Sequence, residues 1–306
     1  MQMPKLKIGT RGSPLALYQA NETKSRLMAA HGLSDDDIEI VVITTTGDRV
    51  RDRPLAEIGG KGLFTKEIEE ALFEGSIHLA VHSMKDMPAR LPDGLVMAAL
   101  LPREDPRDAF LSPVAKSIDD LAKGAVVGSS SVRRAAQLKR LRPDIEVIQF
   151  RGNVETRLKK LEDGVAQATF LASAGLNRLG LKDRITSLVP IDVMLPAVAQ
   201  GCIGIETRAD DEATRALLAP INHEASAIAV NCERAFLAAL DGSCRTPLAG
   251  HALIENGQVK FRGHALTLDG AFCFETTRAG SPADAERMGR EAGEQVKADG
   301  GGLIAF

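Results

Sequence analysis

Lys5-Leu6-Lys7-Ile8-Gly9-Thr10-Arg11-Gly12-Ser13-Pro14-Leu15-Ala16-Leu17 is the unit from which the rest of the fold can be read. Lys5 to Thr10 reads as a short strand. Ser13 before Pro14 predicts a helix start, with serine as N-cap and proline at the first helical position, and Leu15, Leu17, Ala20 and Leu27 continue the helical pattern. A strand-to-helix corner of this kind turns backbone N–H groups and the positive end of the helix dipole outward, and Arg11 adds a full charge there. The corner suits a carboxylate or a phosphate, although a Ser-Pro helix start beside an arginine also serves purely structural ends in α/β proteins.

The same grammar continues along the first third. Ile38 to Ile43 predicts a second strand, rich in β-branched residues, running into Thr44-Thr45-Thr46-Gly47-Asp48. Gly59-Gly60-Lys61-Gly62-Leu63-Phe64 then sets three glycines around one lysine ahead of a helix over 65–74. The phosphate-loop spacing G-x-x-x-x-G-K-[ST] is absent, so this stretch is either a flexible connection or a lid carrying Lys61 and Phe64 over a cleft. Ile77 to His82 predicts a third strand, ending in Ser83-Met84-Lys85-Asp86-Met87-Pro88. Ligands of parallel α/β sheets bind beyond the carboxyl ends of strands, and Lys85 and Asp86 fall there; elsewhere such a pair is a solvated surface contact of little weight.

A second α/β unit follows. Pro102 to Asp108 reads as a crossover between domains, Ala109 to Leu111 as extended chain, and Ala125 to Gly128 as a strand feeding Ser129-Ser130-Ser131-Val132-Arg133-Arg134 and a helix. Positive charge at a helix N-terminus is unfavourable by about 0.3–1 kcal/mol, so two arginines there point to a bound anion, or to one anion-binding arginine and one structural one. Ile145 to Phe150, Arg151-Gly152-Asn153 and the helix 154–162 with Arg157 repeat the corner a third time, and the strand Ala168 to Ala172 ends before Arg178. Leu195-Pro196-Ala197-Val198-Ala199-Gln200-Gly201-Cys202 reads as the return crossover. A helix over 211–218 follows; then a helix over 223–240, three alternating strands within 250–277 and a closing helix over 283–299 form a separate small α+β domain. Asp241-Gly242-Ser243-Cys244-Arg245-Thr246-Pro247 places a thiol on a turn within it.

At 306 residues the chain exceeds one ordinary domain. The expected division is 1–101 with 199–221, then 106–196, then 224–306. Hydrophobic residues at 44% and charged residues at 26% exclude a largely disordered chain. Net charge of −3, no Trp and one Tyr argue against a nucleic-acid binder built on a basic surface and stacked aromatics. Met1 to Lys5 lacks a signal-peptide core and the apolar run Leu95 to Leu101 is too short to span a bilayer, so a cytoplasmic protein without a membrane partner is expected; a monomeric state is a separate expectation. Cys202, Cys232, Cys244 and Cys273 show no C-x-x-C spacing, and neither a metal site nor a disulfide framework is expected.

Taken together, Thr10-Arg11-Gly12-Ser13-Pro14-Leu15-Ala16-Leu17, Gly59 to Phe64, Val81 to Pro88, Ser131-Val132-Arg133-Arg134, Phe150-Arg151-Gly152-Asn153, Leu195 to Gly201 and Gly242-Ser243-Cys244 resemble, in the same order, the blocks of the porphobilinogen deaminases, or hydroxymethylbilane synthases. The resemblance spans nearly the whole chain. It implies two periplasmic-binding-protein-like (type II) α/β domains flanking a cleft, with a third α+β domain bearing the cofactor cysteine. It implies a transferase that adds porphobilinogen molecules head to tail, with loss of ammonia, to a dipyrromethane primer, and then releases a linear tetrapyrrole by hydrolysis. By the same resemblance Cys244 carries the dipyrromethane as a thioether and Asp86 is the essential carboxylate. Cofactor contacts fall to Ser83, Lys85, Asp86, Ser131, Arg133, Arg134, Arg151, Gly152 and Arg157; substrate contacts fall to Arg11, Ser13, Lys61, Phe64, Arg178 and Gln200. The chemistry is coherent, because each pyrrole bears an acetate and a propionate and arginine holds a carboxylate bidentately. Glu57 departs from the pattern, standing where some members carry lysine.

Two rival readings stand beside this one. A solute-binding protein or the effector half of a regulator would share the two-lobed fold, but would bring a signal peptide or a helix-turn-helix module. A cysteine hydrolase pairing Cys244 with His251 would need a positioned base and a third supporting residue.

Overall fold

The computed structural model describes residues 5–49, 64–242 and 246–304. The glycine-rich stretch with Lys61, Glu57, and the anchor candidate Cys244 with Arg245 lie outside the described residues. The chain forms two compact units, residues 1–103 with 202–227 and residues 104–201 with 228–306.

The first unit is a five-stranded sheet between helices. Strands β1 (Leu6–Thr10), β2 (Ile38–Val42) and β3 (Leu79–Ser83) run parallel. The return strand β10 (Ile203–Arg208) pairs antiparallel with β3 and with β4 (Leu95–Leu100), giving the order β2-β1-β3-β10-β4. Helix α1 (Pro14–His31) begins as its sequence requires, with the Ser13 hydroxyl accepting from the Ala16 N–H at 3.2 Å. Its Ala20 and Leu27 join Ile8, Leu79, Val81 and Ile205 in one core, while Ile68 and Leu72 of the helix Lys66–Phe73 pack with Ile77 and Ala80 in another. Burying each such aliphatic side chain contributes about 1.5–3 kcal/mol.

The second unit repeats the design. Its strands β5 (Asp108–Leu111), β6 (Val126–Gly128), β7 (Glu146–Ile148), β8 (Ala168–Ala172) and β9 (Ser187–Leu188) stand in the order β7-β6-β8-β5-β9, with β6 parallel to β7 and β8, and β5 antiparallel to β8 and β9. In both sheets three parallel strands are followed by one antiparallel strand and an edge strand, which is the type II periplasmic-binding-protein arrangement. The sequence reading left out both edge strands, β4 and β9. It also ended the crossover at Asp108, which is the fully buried first residue of β5.

The second unit also holds a three-stranded antiparallel sheet, β11 (Leu248–Glu255), β12 (Gln258–Leu266) and β13 (Cys273–Gly280). Asn256 and Gly257 both take positive φ, 51° and 74°, at the tight β11–β12 turn, as a hairpin of this kind demands. Phe236 of the helix Glu224–Ala239 meets Phe261 of β12 with ring centroids 5.1 Å apart. Gly289 lets the closing helix Ala285–Gly300 approach, since a Cβ there would lie 2.0 Å from the Cys232 carbonyl oxygen.

Candidate active site

In the first unit the first and third strand ends open into one pocket of ≈ 70 Å³ whose lining includes Arg11, Ser13, Gln19, Phe64, His82, Ser83 and Asp86. The strand β3 stops in a 3-10 turn, Met84–Asp86, that buries Met84 and leaves the Asp86 side chain exposed and Lys85 half-buried. Ser83 exchanges hydrogen bonds with the buried Gln19 of α1, one at 2.8 Å from the amide and one at 3.1 Å from the hydroxyl, which locks the base of the turn against the helix.

Arg11 is fixed on two sides. Its guanidinium donates to both oxygens of Asp48, at 3.2 and 2.5 Å, and lies 4.2 Å from the centre of the Phe64 ring. Burial opposes ionisation of Asp48, but hydrogen bonds from Arg11 and Thr45 overcome it and hold the carboxyl below its ordinary range. The pocket therefore combines an oriented guanidinium, a helix N-terminus and an exposed carboxylate. That set matches a ligand bearing both carboxylates and a group that becomes positive.

Beneath the pocket, His82 Nε2 lies 3.0 Å from Glu206 Oε2, with both side chains buried. Glu69 is buried nearby, and desolvation, followed by the charge of Glu206, pushes its carboxyl above the ordinary range. Glu206 had a legible signal, a lone acid in the apolar run Ile203-Gly204-Ile205, and the sequence reading passed over it.

In the second unit the convergence point is Asp108. Arg134 donates to Asp108 Oδ1 from Nε at 3.1 Å and from Nη2 at 2.7 Å, and to the Phe170 carbonyl at 2.8 Å. Arg133 donates to Oδ1 at 3.2 Å and to the Leu195 carbonyl at 2.7 Å, and its Nη1 stands 2.8 Å from Oδ2, off the hydrogen-bond axis. Gln200 adds a bond to Asp108 Oδ1 at 2.9 Å and one to the Pro106 carbonyl at 2.7 Å. Burial would raise the Asp108 pKa, but the two guanidinium groups overcome it and keep the carboxylate ionised. The anion implied by two arginines at one helix start is thus, in part, the protein's own. Arg134 and Gln200 spend these donors internally, whereas Arg133 keeps a buried Nε without a hydrogen-bond partner.

The remaining sites in this unit are less enclosed. Ser131 caps the helix Val132–Leu141, accepting from the Arg134 N–H at 3.4 Å. Asn153 caps the helix Val154–Glu162, and Arg157 Nε donates to the Gly152 carbonyl at 2.8 Å. Gly152 takes φ 123°, and a Cβ there would stand 2.6 Å from Thr156. Arg151 is half-buried at the same corner, and Arg178 donates to the Gly201 carbonyl at 3.0 Å. Of the described thiols, Cys202 and Cys232 are buried, and burial pushes the Cys232 thiol up to about 12.

A family model described as "Porphobilinogen deaminase, dipyromethane cofactor binding domain" matches residues 6–216, and a second, "Porphobilinogen deaminase, C-terminal domain", matches residues 227–298. The chain belongs to the porphobilinogen deaminase family. A curated porphobilinogen deaminase from Paracoccus denitrificans (strain Pd 1222) is 59% identical over 300 residues, covering 97% of this chain and 96% of that one. Among solved structures, a putative methionine-binding lipoprotein from Bacillus subtilis is 13% identical with a TM-score of 0.43, covering 72% of this chain and 90% of that one. The Bordetella pertussis BvgS periplasmic VFT2 domain is 18% identical with a TM-score of 0.40, covering 70% and 84%. The fold assignment rests on the two strand orders rather than on these likenesses. A porphobilinogen deaminase, or hydroxymethylbilane synthase, is a transferase of tetrapyrrole and haem biosynthesis; its substrate is porphobilinogen and its cofactor a dipyrromethane.

The residues present suit that cofactor. A dipyrromethane carries carboxylate side chains, and the described strand ends offer Arg11, Ser13 and Ser83 in one unit and Ser131, Arg151 and Arg157 in the other.

Proposed function

We propose that Asp86 is the catalytic carboxylate of the chain-extending reaction and that Cys244 anchors the dipyrromethane through a thioether. The observation that carries the first assignment is the exposure of Asp86 at the end of β3, in one pocket with Arg11, Ser13, Ser83 and Phe64. When bound, the dipyrromethane supplies the pyrrole carbon from which the chain grows. Loss of ammonia from porphobilinogen leaves positive charge on the pyrrole, and a fixed carboxylate stabilises that charge as it develops. The same carboxylate is suited to accepting a proton from the coupled rings. Arg11 and the Ser13 helix start hold the substrate carboxylates, aided by Lys61, Phe64 and Arg178.

Lys85, Ser83, Ser131, Arg133, Arg151, Gly152 and Arg157 are assigned to the cofactor side chains. Arg134 and Gln200 are assigned an indirect role: they fix Asp108, which in turn orients Arg133. Three domains, at 1–101 with 199–221, 106–196 and 224–306, a monomeric state, residence in the cytoplasm and no nucleic-acid partner complete the reading. The separate three-stranded sheet supports the third domain. Among the described residues no helix is long and apolar enough to cross a membrane.

Asp86→Ala tests the central role. The variant should fold and retain its cofactor while turnover falls by at least the roughly 10²–10⁴-fold associated with a positioned proton-transfer group. Turnover within about tenfold of the parent would overturn the assignment.

A further inference from the structure

Three side chains of the small sheet make a second cluster, none of them assigned to the deaminase site. In the β12–β13 ladder His264 stands opposite Glu275 and Leu266 opposite Cys273. Side chains alternate between faces along a strand, so His264, Cys273 and Glu275 project from the same face. One ligand atom from each, a ring nitrogen, the sulfur and a carboxylate oxygen, all lie within 4.8 Å of one another.

His264 is the informative member. It is 5% exposed, and neither ring nitrogen has a hydrogen-bond partner. Buried polar groups in folded proteins are nearly always satisfied, and one left open calls for an explanation. Here both nitrogens are open, and one lies within 4.8 Å of a thiol sulfur and a carboxylate oxygen. Cys273 is half-buried, and the Glu275 side chain, 38% exposed, gives the cluster an entrance from solvent.

We propose that His264, Cys273 and Glu275 bind one divalent transition-metal ion of the zinc class. Imidazole, thiolate and carboxylate are the donors zinc takes, at about 2.0–2.3 Å, with a solvent molecule able to fill the fourth place. Small side-chain rotations close the present triangle onto such an ion. The positive charges of Arg262, Arg133 and Arg140 act on His264 and oppose a cation, so the ion must be held by its ligand bonds. A hard cation needing several oxygens finds a single carboxylate here. A zinc-class ion instead converts the thiol to thiolate, releasing its proton to solvent, and the thiolate and carboxylate together neutralise the ion's two positive charges, which limits its repulsion by the arginines. Arg262, which donates to both Glu275 oxygens at 2.9 and 3.1 Å, would yield one of those bonds and orient the carboxylate with the other. A search for C-x-x-C spacing overlooks this trio because strand pairing, rather than sequence spacing, assembles it.

The test uses the enzyme with its cofactor in place, stripped with a chelator and titrated with Cd²⁺, whose thiolate bond absorbs in the ultraviolet. The expected result is one ion per chain with that absorbance, lost in Cys273→Ser. His264→Gln should weaken binding by more than the roughly 10–100-fold that loss of an outer ligand partner costs. Glu275→Gln, at an exposed position, should weaken binding without disturbing the fold. Absence of Cd²⁺ binding in the parent, or binding and absorbance unchanged in folded Cys273→Ser, would overturn the proposal.

Discussion

At Asp108 a single carboxylate holds two guanidinium groups and an amide, all inside the protein. Breaking a buried pair from one side leaves charge uncompensated and typically costs about 3–5 kcal/mol. Asp108→Asn should therefore lower the unfolding free energy from urea melts by that order, with a lower midpoint, since asparagine keeps the shape but leaves Arg133 and Arg134 without their counter-charge. An Asp108→Asn midpoint within error of the parent would show that the arginines find another anion. Nothing in the sequence marked Asp108, because a buried acid and a solvated one look alike after Pro106 and Arg107. Arg11 and Asp86 were legible for the opposite reason, since each follows a strand whose end could be placed from its apolar residues.

At the scale of elements, the corners carry the site, and their chemistry is local. Ser13 and Asn153 cap helices that the sequence predicted; the first start was read from its hydroxyl and proline, whereas Asn153 was read only as part of a corner. The edge strand β4 was not legible, since the run Leu95 to Leu100 has no alternation and its pairing with β10 joins residues distant in sequence. The corner at Gly152 offers a test. Its φ of 123° and the 2.6 Å approach to Thr156 leave no room for a side chain. Gly152→Ala should shift the start of the helix bearing Arg157, raising KM for porphobilinogen more than it lowers stability; an unchanged KM would separate this corner from ligand binding. Asn153→Ala removes only the cap and should cost about 1 kcal/mol in a urea melt.

For the molecule as a whole, acid should unfold the protein through its paired carboxylates. The Asp108 pKa is depressed in the folded state, where the arginines outweigh burial, and Asp48 and Asp105 shift the same way once their arginine bonds outweigh burial. A depressed carboxylate contributes stability that is fully present above its unfolded pKa, about 3.9, and is lost as pH falls through the folded value. Urea midpoints should thus hold near neutral pH and drop steeply below about pH 4, with a shallower drop in Asp108→Asn. A parent profile no steeper than that of the variant would contradict the sign.

The pairing of a basic pocket with a tethered primer is the central claim, and it rests on one covalent bond. The family resemblance puts that bond at Cys244, whereas Cys202 and Cys232 are buried and Cys273 is half-buried. Intact-mass analysis of the active enzyme and of Cys244→Ser tests it directly. The expected result is an adduct of two pyrrole units on the parent, mapped to Cys244 by fragmentation, and a bare polypeptide mass for the variant. A bare polypeptide mass from fully active parent enzyme, or an adduct that survives in Cys244→Ser, would contradict it.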